Sequence, residues 1–170
     1  RKLSSLDTYI VEENIIQCSQ LSAINHSSVN TLRVVVQEEK GNMVIKTCIL
    51  RMGRYGKEVD NSAQGGISIN VNVENGAFAS SATAEHGAGT ILQHPDTMYE
   101  FAGNGISKWE SVKRQIEHIA NKLCDFKDIA LDIAITEDKV ILVEFNFRYG
   151  VEHQQCVVGG VRQILGIPNH

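Results

Sequence analysis

The sequence predicts an α+β fold in which a mostly antiparallel sheet is flanked by helices. Apolar and polar side chains alternate over residues 67–73, a pattern that is typical of a half-buried strand. Several short runs of this kind are separated by turn-forming residues, so we expect consecutive strands to form hairpins. Residues 109–123 instead repeat their apolar side chains at helical spacing. The 170 residues have room for one domain with a real core, spanning 1–170.

The first part of the chain is predicted to contain a short helix and a hairpin. Residues 9–16 mix strand-forming side chains with two acids, and residues 18–25 are a candidate helix. Two apolar runs, 32–37 and 43–52, flank a polar turn and are expected to pair antiparallel. Residues 53–66 are glycine-rich and charged, which predicts an irregular segment.

A second hairpin is predicted to follow the alternating strand. Its turn contains Asn75 and Gly76, a pair of residue types that both tolerate positive φ. The returning strand is expected over residues 78–83, and a long loop rich in glycine and histidine is expected over residues 85–105.

The last part of the chain is predicted to place a capped helix before a final hairpin. Ser107 and Glu110 have the spacing of a capping box, which predicts a helix with Ser107 as its N-cap and an end near Phe126. The apolar segment 153–165 is expected to form one further helix despite its two central glycines, and to stop at Gly166.

The final predicted hairpin carries one acid in the middle of each strand. Residues 137–139 join the strands, and the acids are Asp132 and Glu144. If Thr136 lies opposite Val140, pairing inward sets Asp132 opposite Glu144. Two like charges in directly opposed positions are unfavourable unless something neutralises them.

A magnesium ion would neutralise this pair, because Mg²⁺ takes carboxylate and amide oxygens as ligands. Asn146 lies two residues after Glu144, so both side chains belong to the same face of the strand. Two alternatives stay open. A one-residue slip in register would separate the acids onto opposite faces, and acids on strands can also simply point into water.

The composition excludes some classes of partner. The net charge of −4 provides no basic footprint for nucleic acid, and no apolar run reaches the roughly 18 residues of a membrane span. The four cysteines lie far apart and form no Cys-x-x-Cys pair, so we expect a reducing, cytoplasmic location. The chain starts without Met in sequence that is typical of a structured region, and we expect it to be a piece of a longer protein.

Six motifs in this order resemble the C-terminal lobe of ATP-grasp enzymes, most closely the sugar-transfer-associated branch. The matching segments are residues 27–33, 51–54, 59–66, 94–97, 131–136 and 143–146. A similar order occurs in the ribosomal-protein glutamate ligases of the same superfamily. The resemblance implies an ATP- and Mg²⁺-dependent ligase, in which ATP phosphorylates a small carboxylate substrate and a nucleophile then displaces phosphate. A role in making polysaccharide or cell-surface sugar precursors is a family association.

The resemblance also implies roles for particular residues. Asp132, Glu144 and Asn146 match the superfamily's metal ligands, which agrees with the pairing argument. Arg33 and Arg51 are candidates for holding the phosphate or acyl phosphate, since a guanidinium offers a planar fork of donors. A solvated strand face is the alternative for both arginines, and it is weaker for Arg51 than for Arg33.

Two further segments are implied to bind the nucleotide. One resembles the hinge strand that meets adenine, and the other is a glycine-rich loop where the backbone can approach a ligand closely. The candidate residues are Glu12, Glu13 and Ile15 in the first segment, and Asp60, Asn61, Gly65 and Gly66 in the second. An ordinary surface strand and an ordinary turn explain the same residues equally well. His94 is a possible substrate-binding or acid–base residue, with plain polar surface as its alternative.

In ATP-grasp enzymes the site closes between two lobes, and lysines from an N-terminal lobe hold the α- and β-phosphates. We therefore expect an N-terminal ATP-grasp lobe to be missing from this chain. Two rival hypotheses stay open: a non-catalytic nucleotide- or sugar-binding domain derived from ATP-grasp, and a structural domain whose acids are surface residues.

Overall fold

The computed structural model describes residues 12–56, 65–84 and 89–167. The strands are β1 (Thr31–Glu39), β2 (Asn42–Met52), β3 (Ile67–Asn70), β4 (Thr83–Ala84), β5 (Asp128–Ile135) and β6 (Val140–Asn146). The helices are α1 (Ser19–Ile24), α2 (Trp109–Asn121), α3 (Glu152–Val158) and α4 (Val161–Ile164). The strands form one sheet in the order β4-β3-β2-β1-β5-β6, and every neighbouring pair is antiparallel. The predicted α+β fold is confirmed.

The main core lies on one face of this sheet. Leu32, Val34 and Val36 of β1 alternate with residues on the opposite face, and all three are fully buried. The helix α2 packs against this face through a stripe at helical spacing that includes Val112 and Ile116. The period of two along the strands and the helical period of α2 together produce one continuous apolar layer.

The opposite face of the sheet is partly polar and is only partly covered. Val35 and Ala130 form a small second cluster with Val161 and Leu165, so α4 and the residues around it pack on this side. The helix α3 contacts β2 and β3. We call this side the polar face, because it carries the candidate arginines and acids described below.

The helix α2 is shorter than predicted at both ends. It begins at Trp109, and its N-cap is Lys108, which has a left-handed backbone (φ 54°) and no capping side chain. The predicted capping box is therefore wrong; the Ser107 N–H instead donates to the Gln20 side chain. The helix ends at Asn121, and turns follow as far as Phe126, where the predicted helix would have ended.

The predicted final helix is interrupted where its glycines stand. Gly159 (φ 72°) and Gly160 (φ 59°) adopt backbone conformations that favour glycine and that end α3 and start α4. At the other end of the chain, residues 12–17 form no strand, so the described part of the predicted N-terminal strand is irregular.

The turn at Asn75 and Gly76 forms, but not with the predicted geometry. Only Gly76 has positive φ (74°), and Asn75 instead accepts a hydrogen bond from the Ala77 N–H. A Cβ atom at Gly76 would lie 2.6 Å from the Trp109 side chain, so close packing against α2 requires this glycine. The returning segment is mostly irregular, and its regular part is the two-residue β4.

Candidate functional site

The predicted pairing of Asp132 with Glu144 is confirmed, although the route to it differs from the prediction. At the hairpin end Ile135, rather than Thr136, lies opposite Val140. A register shift between Ile133 and Asp132 then brings Asp132 opposite Glu144. This register shift is a β-bulge that adds one residue to β6. It offsets the one-residue error in the predicted turn.

The neighbouring strand β1 brings Arg33 to the other side of Asp132. Arg33 pairs with Asp132 across β1 and β5, so their side chains share the polar face. The guanidinium makes a two-pronged ion pair, with Nε 2.6 Å from Oδ1 and Nη2 2.6 Å from Oδ2. Such fork-to-fork geometry is the strong form of a charged hydrogen bond.

Arg51 reaches the same carboxylate from β2. Its Nη1 lies 3.3 Å from Asp132 Oδ2, so two guanidinium groups meet at one oxygen atom. The side chains of Arg33, Arg51 and Asp132 retain 22%, 16% and 8% of their exposure, which leaves the arginines within reach of solvent while the acid is nearly buried. We call Arg33, Arg51 and Asp132 the arginine cluster.

The arginine cluster uses the same Asp132 carboxylate that the sequence predicts as a metal ligand. Asp132, Glu144 and Asn146 share one face, since Asn146 pairs with Ala130 two residues from Asp132. Their oxygen atoms fit Mg²⁺ in chemical type. In the described part of the chain, however, no three His, Cys, Asp or Glu side chains group closely enough to hold a metal ion. Both oxygens of Asp132 accept from Arg33, and the metal role stays a prediction.

Ser68 and His153 lie beside the arginine cluster, and neither was among the predicted site residues. Ser68 pairs with Arg51 across β2 and β3, and it is 2% exposed. Its Oγ lies 2.8 Å from Nε2 of His153, the second residue of α3. The alternation over residues 67–73 was a usable signal, because it places Ser68 and Asn70 on the face opposite the buried isoleucines.

The candidate nucleotide-binding residues are only partly described. Glu12 and Glu13 are exposed, and Ile15 lines a cleft together with His26 and Ser28. These three candidates lie in no strand, so the described part of the proposed hinge is irregular.

The second candidate segment, the glycine-rich loop, is described only at its end. Gly65 has positive φ (86°), and Gly66 is buried directly before β3. Asp60 and Asn61 lie outside the described residues. The nucleotide-binding role of both segments stays a prediction.

His94 is buried inside a structural clamp rather than on polar surface. Its Nε2 donates to the Gly53 carbonyl at 3.0 Å, and its Nδ1 accepts from the Asp96 N–H. Burial lowers the pKa of His94, although the bond to Gly53 acts in the opposite direction. Arg54 donates two hydrogen bonds to the Asp96 carboxylate, which lowers the pKa of Asp96 to about 2. The clamp holds Gly53 and Arg54, which directly follow the end of β2 at Met52.

Comparison with known proteins assigns the family. The model of the family described as sugar-transfer associated ATP-grasp matches residues 3–164. The chain therefore belongs to this family, as its motifs had suggested. No curated protein and no solved structure gives a significant match. Within the described residues, no helix is both long enough and apolar enough to span a membrane.

Proposed function

We propose that this chain is the lobe of an ATP- and Mg²⁺-dependent carboxylate ligase that carries the metal ligands and the γ-phosphate contacts. The observation that supports the proposal is the arginine cluster, in which Arg33 and Arg51 converge on one oxygen of Asp132. Paired guanidinium groups suit a phosphoryl group, because each offers a planar fork of donors that stays charged at any physiological pH.

The proposed chemistry has two steps. A substrate carboxylate oxygen takes the γ-phosphoryl group of ATP, which gives an acyl phosphate and ADP. A nucleophile then attacks the acyl carbon, the bond to the phosphate oxygen breaks, and phosphate leaves while the nucleophile loses its proton. Both steps move negative charge among phosphoryl oxygens, and preorganised cations stabilise such charge.

In this scheme the three residues of the arginine cluster have different roles. Arg33 and Arg51 bind and orient phosphoryl oxygens, and Asp132 holds the two guanidinium groups side by side. Mg²⁺, when bound, would use oxygens of Asp132, Glu144 and Asn146 and would neutralise phosphate charge. We further propose, from the family's association with sugar transfer, that the substrate is a precursor of a polysaccharide or cell-surface sugar.

A second lobe is proposed to supply the remaining phosphate contacts. On the 170-residue chain alone, Mg-ATP is then expected to bind weakly or not at all, because a ligand held from one side loses much of its burial. Isothermal titration calorimetry tests this expectation. Micromolar affinity on the chain by itself would show that the whole nucleotide site lies within it.

The ligase proposal is tested in the parent protein with ATP, Mg²⁺ and a panel of small carboxylates. Two readouts are combined: release of phosphate, and trapping of the acyl phosphate by hydroxylamine as a hydroxamate. Carboxylate-dependent formation of a hydroxamate supports the mechanism. Tight ATP binding with no hydroxamate and no phosphate from any carboxylate would overturn it.

That last outcome would favour a second candidate function, a nucleotide- or sugar-binding domain without ligase chemistry. One observation favours this candidate: both carboxylate oxygens of Asp132 already accept from Arg33 at 2.6 Å. A metal ion would have to share or displace this ion pair. Calorimetry with ATP in the presence and absence of Mg²⁺ separates the candidates, since a metal-dependent ligase requires the ion for productive binding.

A further inference from the structure

Gln154 is a buried polar side chain with no hydrogen-bond partner. The residue is 0% exposed, and neither Nε2 nor Oε1 has a partner among the described residues. Buried carboxamides are nearly always paired, because leaving the donor and acceptor without partners destabilises the fold. A requirement other than folding therefore explains a glutamine at this position.

Gln154 lies on the side of α3 that packs on the sheet. Val151 precedes it by three residues and Val158 follows it by four, a spacing that puts all three on one side of the helix. Both valines pack against the small cluster formed around Val35 and Ala130 on the polar face. The carboxamide is thus held within the interface between α3 and the polar face.

The sheet contributes a second unpaired polar group to this face. Thr47 lies opposite Val35 across β1 and β2, so the two side chains share a face. The Thr47 hydroxyl is buried and finds no hydrogen-bond partner within the described part of the chain. Unpaired polar atoms therefore come from both the helix and the sheet, which a purely structural interface would not favour.

His153, the neighbour of Gln154 in sequence, connects this interface to the arginine cluster. His153 bonds Ser68 at 2.8 Å, and Ser68 is the cross-strand partner of Arg51. The helix α3 is therefore anchored at the strand pair that presents one of the two candidate phosphate-binding arginines. A group bound at Gln154 would lie on the same helix that contacts β2 and β3 beside Arg51.

We propose that Gln154, together with His153, forms the acceptor-binding subsite of the ligase, an inference that rests on the proposed function. A carboxamide with both atoms unpaired is complementary to a neutral group that presents a donor and an acceptor side by side. An amide and a pair of vicinal hydroxyls both have this chemistry. A carboxylate or a phosphate does not, because its anionic oxygen would face Oε1 with no donor between them.

Access to the buried carboxamide requires α3 to shift as a unit. Glycines stand at both ends of the helix: Gly150 lies two residues before it, and Gly159 and Gly160 follow it with positive φ. The Gly159 backbone (φ 72°, ψ 152°) is a conformation that essentially only glycine adopts. Because glycine has no Cβ atom, these residues can absorb a change in backbone angles at little steric cost.

The first test uses the free chain and measures thermal unfolding of Gln154→Met. Methionine has nearly the same length and no polar atoms to leave unpaired, so the Tm is expected to rise by about 2–4 °C. Gln163→Met, the same change at an exposed position of α4, serves as the matched control and should leave the Tm nearly unchanged. A lower Tm for Gln154→Met would show that Gln154 has a structural partner such as a bridging water, and would overturn the proposal.

The second test follows the Gln154 side-chain amide by NMR in ¹⁵N-labelled chain, with the signal assigned by its loss in Gln154→Met. The probes are N-methylacetamide for the amide, glucose for the hydroxyls, N-acetylglucosamine for both, and acetate as the anionic control. Saturable shifts with at least one neutral probe and none with acetate are expected, and the pattern identifies the source. Shifts with acetate alone, or with no probe, would overturn the subsite. Neither test uses ATP. A failed hydroxamate assay would therefore remove the ligase and the assignment of this subsite to its acceptor, whereas the binding of a neutral group at Gln154 is decided by the NMR titration alone.

Discussion

The two faces of the sheet are built from the same strands and follow different rules. On the core face, β1, β2, β3, β5 and β6 contribute buried apolar side chains, and α2 closes the layer. On the polar face, the same strands present arginines, acids and small polar side chains, and its apolar cluster contains four buried residues. The core face is arranged for stability, whereas the polar face keeps charges and unpaired polar atoms that stability alone would remove.

The largest effect on stability is expected on the core face. Ile116 of α2 is 0% exposed within the main core, and Ile116→Ala should lower the free energy of unfolding by about 2–5 kcal/mol. Val151→Ala removes a partly buried side chain next to the polar face and should lower it by clearly less. Urea unfolding of both variants measures the difference. An equal loss would mean that α3 belongs to the same cooperative core as α2.

The largest effect on activity is expected on the polar face. In a protein that contains the proposed second lobe, Arg51→Ala should raise the activation barrier by about 2–4 kcal/mol, if Arg51 stabilises charge on the transferred phosphoryl group. Arg51→Lys should restore only part of the rate, because an ammonium keeps the charge without the fork.

The matched control for Arg51 is Arg114→Ala, at an exposed position of α2. Steady-state kinetics with ATP and the substrate carboxylate should show a fall in kcat that exceeds any rise in KM for ATP. A kcat that matches the control in a folded Arg51→Ala enzyme would mean that Arg51 is only strand surface.

A smaller effect on stability is expected from Asp132→Asn. The change leaves two guanidinium groups close together without their shared carboxylate, and should lower stability by about 1–3 kcal/mol. This is below the roughly 3–5 kcal/mol of a fully buried pair, because Arg33 and Arg51 keep 22% and 16% of their exposure. Thermal unfolding at low and high salt measures it, and added anions should recover part of the loss. A neutral Asp132→Asn variant would contradict the cluster's electrostatic role.

The local patterns of the sequence predicted β1, β2, β3, β5 and β6 and their faces, but could not predict the arginine cluster. Alternation identified which side chains share a face, since the period of two is local. The ion pair between Arg33 and Asp132 joins residues 99 positions apart, and it depends on β1 pairing with β5. No local pattern contains that pairing.

The outcome of other sequence predictions also depended on features that the local pattern does not contain. The β6 bulge shows that a correct pair can follow from an incorrect turn, because the two one-residue shifts cancel. The capping box at Ser107 failed because the Gln20 side chain, from a distant segment, takes the Ser107 N–H. His94 suggested chemistry by its usual pKa; burial of the ring lowers that pKa, and the substrate-binding or acid–base role stays a prediction.

The smallest expected effect separates His94 from the reactive residues by its pH dependence. Burial lowers the pKa of His94 in the folded chain, so the fold favours the neutral ring, whose Nδ1 accepts from Asp96. A group with a lowered folded pKa contributes its full stability above its unfolded pKa of about 6.5, and loses it as the pH falls toward the folded value.

His94→Gln keeps a donor for the Gly53 carbonyl but does not titrate. The Tm of the wild-type chain should therefore fall more steeply than that of His94→Gln between pH 7 and pH 5, about the range below this unfolded value. The contribution of Asp96 is lost mainly at lower pH, between its unfolded pKa of about 3.9 and its folded pKa of about 2, so it is largely retained in this range. Parallel slopes for the two proteins would show that His94 does not titrate on unfolding, and that the clamp on β2 tolerates a charged ring.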